Sequence, residues 1–89
     1  MSYNYQTERA SIFTEEGQVM FLKIRDTVQR HLEEAGAVSM EAAIRDCTGS
    51  SWEMMACVDR LVELGEIREV TEPGKFVSQS RVFVSTARY

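Results

Sequence analysis

Between Ser39 and Leu64 the apolar residues recur twice at helical spacing, with a break at Thr48-Gly49. This interrupted pattern constrains the chain more than any other feature. Met40, Ala43, Ile44 and Cys47 share one face of a short helix that Ser39 can cap. Gly49 can turn the chain, because a residue without Cβ reaches positive φ at little cost. Ser50 then opens a further helix, and Glu53 follows three residues on. That spacing is a capping box, in which each side chain satisfies the other residue's unpaired N–H. Met54, Cys57, Val58, Leu61, Val62 and Leu64 form the expected buried stripe, and Ser51, Trp52, Met55, Ala56, Asp59 and Glu63 the expected outward face. Gly65 suits the position just beyond a helix end.

An earlier helix precedes this pair. Phe21, Ile24, Val28, Leu32 and Ala35 recur at spacings of three and four. Thr14 is the expected N-cap, Glu15 and Glu16 place negative charge where the helix dipole favours it, and Gly36 ends the run. The charges on its other face read as a solvated surface. Residues 1–13 show no period and read as a loose arm, with Ile12 and Phe13 able to dock on the core. After Gly65 the period changes from 3.6 to 2. Ile67 to Thr71 and Ser80 to Ser85 read as strands, with Pro73-Gly74 supplying turn chemistry between them. An antiparallel hairpin is the economical pairing. The expected organisation is an arm over 1–13 and a single α+β domain over 14–89.

Composition narrows the functional classes. The 89 residues contain 44% hydrophobic side chains and a net charge of −4, so the chain can fold but lacks the basic surface of an indiscriminate nucleic-acid or membrane binder. The charge is uneven: residues 39–65 hold two basic and five acidic side chains, and residues 66–89 four basic and three acidic. No apolar run nears the roughly 20 residues that span a bilayer, and no secretory leader opens the chain, which makes a soluble cytoplasmic protein the expectation. Cys47 and Cys57, ten residues apart, and one histidine match no common zinc spacing. Small buried hydrophobes is the simpler reading of both thiols. No nucleophile set, phosphate-cradling glycine loop or metal-ligand spacing is present, so neither an enzyme nor a cofactor or small-molecule substrate is expected.

The run Ala43-x3-Cys47-Thr-Gly-Ser50-x3-Met54-x3-Val58-x2-Leu61-x2-Leu64-Gly65-x-Ile67 resembles the helix-turn-helix of small bacterial winged-helix transcription regulators. The resemblance implies three helices followed by a two-stranded β-hairpin wing. It also implies duplex DNA as partner, with the third helix in the major groove and the wing on the backbone. On this sequence the groove-facing positions are Ser51, Trp52, Met55, Ala56 and Asp59, with Ser50 and Ser51 able to donate to a phosphate, and the phosphate partners on the wing are Lys75 and Arg81. The chain departs from the pattern where base readers carry Arg, Lys, Asn or Gln: it has Trp52, Met55 and an acid. A winged helix serving as a protein-interaction or dimerisation module, with Trp52 and Met55 as apolar anchors, is therefore the alternative.

Overall fold

The computed structural model describes residues 3–71 and 80–86. The Pro73-Gly74 turn and Lys75 lie outside the described residues. The elements in order are α1 (Tyr5–Glu8), a 3-10 turn (Arg9–Phe13), α2 (Glu15–Ala35), β1 (Val38–Ser39), α3 (Met40–Ile44), α4 (Ser51–Glu63), β2 (Ile67–Glu69) and β3 (Val82–Ser85).

The helix boundaries follow local chemistry. The Thr14 hydroxyl accepts from the Gly17 N–H at 3.0 Å, and Gly36 closes α2 at φ +79° while its N–H donates to the Leu32 carbonyl. The Ser39 hydroxyl accepts from Ala42 N–H at 3.1 Å, and that of Ser50 from Glu53 N–H at 3.5 Å, the serine half of the capping box. Gly49 adopts φ +117° between α3 and α4. The short helix ends at Ile44, so Cys47 lies beyond it.

The sheet is larger than a two-stranded hairpin. Its three antiparallel strands run in the order β1-β3-β2. Ile67, Arg68 and Glu69 face Ser85, Val84 and Phe83, and Val38 and Ser39 face Phe83 and Val82. The central strand therefore joins the segment before α3 to the segment after α4. β1 has only two residues, too few to register as an alternation. Phe83 points inward and is wholly buried with Ile12, Ile24, Val28, Met40, Val58 and Leu61. Leu64, expected in the buried stripe, is instead 47% exposed.

Residues 5–13 are helical rather than loose. The Asn4 side chain accepts from the Gln6 N–H at 2.9 Å and caps α1. The 3-10 turn buries Ile12 to 1% exposure and packs on α2 and α4. Its approach to α2 is close: a Cβ at Gly17 would lie 2.0 Å from the Ser11 carbonyl oxygen and 2.8 Å from the Ile12 carbonyl atoms. The neighbouring Gln18 amide donates to the Ile12 carbonyl at 2.7 Å. Glycine is thus required here for space.

Gly17→Ala reverses the usual sign of such a change. In an open helix interior alanine gains about 0.5–1 kcal/mol over glycine. Here the added methyl must displace backbone, and the variant loses about 1–3 kcal/mol in urea unfolding. A variant as stable as the parent would refute the close approach.

Candidate interaction surface on the fourth helix

The outward face of α4 was the expected binding surface, and its residues divide into three groups. Ser51 is exposed, and Ser50 is exposed with its hydroxyl engaged as the helix cap. Trp52 is half-buried and packs against the core. Met55 and Ala56 are 4% and 0% exposed, which corrects their assignment to an outward face. The helix turns core residues to more than one side because α1 and the 3-10 turn pack along it, a cover that the apolar period of α4 alone does not reveal.

Asp59 and Glu63 remain on the covered side, and each is held by several donors. The Tyr3 hydroxyl donates to Asp59 at 2.6 Å, and Arg81 donates to the same carboxylate at 2.8 and 3.2 Å. The other donors of Arg81 reach Glu69 at 2.9 and 3.0 Å, and its guanidinium stacks 5.2 Å from the Phe83 ring centre. Burial works against the charge on Arg81, but the two carboxylates outweigh it and raise its pKa. In Glu69 burial is likewise outweighed, here by bonds from Arg81 and Thr71, and the net shift is downward. Arg81, expected on the wing as a phosphate partner, thus ties β3 to α4 and β2 through two carboxylates.

Glu63 accepts from the Tyr5 hydroxyl at 2.7 Å, from Arg9 Nε at 3.0 and 3.1 Å, and from Arg60 Nη1 at 2.7 Å. The hydrogen bonds from Tyr5, Arg60 and Arg9 lower its pKa to about 2. Burial, then the bond to Glu63, lifts the Tyr5 phenol to about 12. The same two arginines place their guanidinium carbons 5.1 and 5.2 Å from the ring centre of Phe13. The N-terminal segment is therefore bound to α4 by two tyrosines, one arginine and Ile12.

Tyr3, Tyr5, Arg9, Phe13 and Glu63 were not among the expected site residues. The available signals were Asn4 as a cap, the Tyr-x-Tyr spacing, and a lone glycine one turn into an otherwise helical period. The cysteines remain thiols, and burial pushes Cys57 up to about 12, which keeps it protonated and unreactive. The ring Nδ1 of His31 donates to the Thr27 carbonyl at 2.9 Å. No group of three or more potential metal ligands occurs among the described residues, and none of their helices is long and apolar enough to cross a membrane.

Two measurements check these bonds. A carboxylate whose folded pKa lies below its unfolded one stabilises the fold at neutral pH, and that contribution is lost as pH falls from about 4.5 through about 2. Glu63→Gln is accordingly less stable than the parent at pH 7, and the two unfolding curves converge toward pH 2. A gap that persists in acid would contradict the ionised network. In the second, Arg81→Gln costs about 2–4 kcal/mol because it leaves Asp59, 12% exposed in its side chain, without its cation. Adding Asp59→Asn recovers part of the loss, and strict additivity of the two changes would show that the pair is not coupled.

No family model, curated protein or solved structure matches the chain, and its function is read from its own chemistry.

Proposed function

We propose that the chain is a winged-helix domain used as a protein-interaction module. The order α2, α3, tight turn, α4 and antiparallel β2–β3 supports the winged-helix assignment. One observation carries the interaction reading: the side of α4 that a groove reader would present is acidic and already engaged. Asp59 and Glu63 stand there bound by Tyr3, Tyr5, Arg9, Arg60 and Arg81. A base reader needs donors that reach base edges and cations that replace counterions. Arg81, the described cation expected on the wing, is committed to two carboxylates. The net charge of −4 opposes a polyanion at long range.

DNA binding as a transcription regulator is the second reading, favoured by the same element order and by the exposed Ser51 at the start of α4. Two tyrosine hydroxyl bonds and the Arg9–Glu63 pair would have to open before duplex could reach Asp59 and its neighbours.

Fluorescence anisotropy with a labelled duplex separates the two. The interaction module leaves the duplex unbound at roughly 50 mM salt and protein up to about 50 µM. A complex that forms there and weakens more than about tenfold by 200 mM salt would overturn it in favour of the regulator.

A further inference from the structure

Beside the α4 network lies a surface of opposite character. Phe13 is 51% exposed, Leu64 47% and Leu22 54%. Ile12, Phe13, Gln18, Phe21, Arg60 and Leu64 line a depression of about 220 Å³. Leu22 lies one helical turn beyond Gln18 on α2 and extends the apolar surface past the rim.

The rim is positively charged. Arg9 and Arg60 both flank the Phe13 ring and share a single carboxylate, Glu63. Arg25, further along α2, is balanced one-to-one by Glu66. Among the described residues, the ion pairs at this edge therefore set two guanidiniums, Arg9 and Arg60, against one carboxylate, within a chain of net −4. Arg9 is 37% and Arg60 23% exposed in the side chain, so both are reachable from solvent. The ring is also ordered in advance, held by two guanidiniums and by the close seat of the 3-10 turn on Gly17. A pre-ordered aromatic loses less freedom on binding than a mobile one.

We propose that this depression docks a protein segment presenting one large apolar side chain next to a carboxylate. The apolar group fills the space between Phe13 and Leu64, and the carboxylate meets the Arg9–Arg60 rim. The inference rests on the interaction-module reading and names the partner's chemistry. Two guanidiniums set against one carboxylate match one further carboxylate. A polyphosphate chain would set several negative charges against an acidic protein; four of the six lining side chains, Ile12, Phe13, Phe21 and Leu64, carry no hydrogen-bonding group, and the other two, Gln18 and Arg60, already donate to the Ile12 carbonyl and to Glu63.

The test is amide chemical-shift mapping of the whole chain with three probes: acetyl-Glu-Phe-Glu-amide, acetyl-Lys-Phe-Lys-amide and hexathymidylate. The acidic peptide shifts Phe13, Gln18, Leu22 and Leu64, at least about tenfold more tightly than the basic one. Phe13→Ala and Leu64→Ala each weaken it about tenfold. Both replace exposed side chains, so if one variant fails to fold the other still decides. Equal binding of the two peptides, no shifts at these residues, or stronger shifts with hexathymidylate would overturn the site. A silent patch together with an unbound duplex removes the docking site and leaves the interaction module standing. Salt-sensitive duplex binding removes the module itself.

Discussion

The seat of the 3-10 turn on α2 at Gly17 is the constraint on which the remaining surface depends. A missing side chain lets two backbone segments meet at a distance no Cβ could tolerate. That approach buries Ile12 between α2 and α4. Burying one large aliphatic side chain contributes about 1.5–3 kcal/mol, enough to order a short segment that has little helical stability of its own. Once Ile12 is seated, α1 lies along α4, and Tyr5 within it and Tyr3 just before it reach the carboxylates there.

Those carboxylates then act as intramolecular staples. Asp59 gathers Tyr3 and Arg81, and Glu63 gathers Tyr5, Arg9 and Arg60. Each acid joins residues far apart in the chain, so the acidic character of α4, which looks adverse for a groove reader, becomes the means of holding the N-terminal segment and β3 in place. The network around Asp59 is the stronger contributor, because its side chain is only 12% exposed whereas that of Glu63 is 35% exposed. The Glu63 network accounts for Phe13: sharing this one acid between Arg9 and Arg60 leaves both guanidiniums over the ring and two cations beside a single carboxylate.

Much of the scaffold was legible in the residues. Thr14, Ser39 and Ser50 are caps, Gly36 and Gly49 carry positive φ, and Phe21, Ile24, Val28, Met54, Cys57, Val58 and Leu61 are buried. Caps and apolar periods are local, acting within one or two turns, so a linear reading finds them. The outward face of α4 was legible only in part. Ser51 is exposed as expected, but Met55 and Ala56 are buried, and Asp59 and Arg81 are paired with each other. Periodicity locates the face opposite the main core. It is silent on whether a distant segment covers that face.

The sequence by itself determined the helices, their caps, the turn at Gly49 and the change to extended chain after Gly65. These follow from side-chain hydrogen bonds to nearby backbone and from the spacing of apolar residues. Only the tertiary structure decided that β1 pairs with β3, that residues 5–13 pack on α4, and that Arg81 joins the carboxylates of Asp59 and Glu69. Each of these joins residues more than ten positions apart. Their partners are selected by which surfaces remain unburied when the helices meet, and no local pattern encodes that.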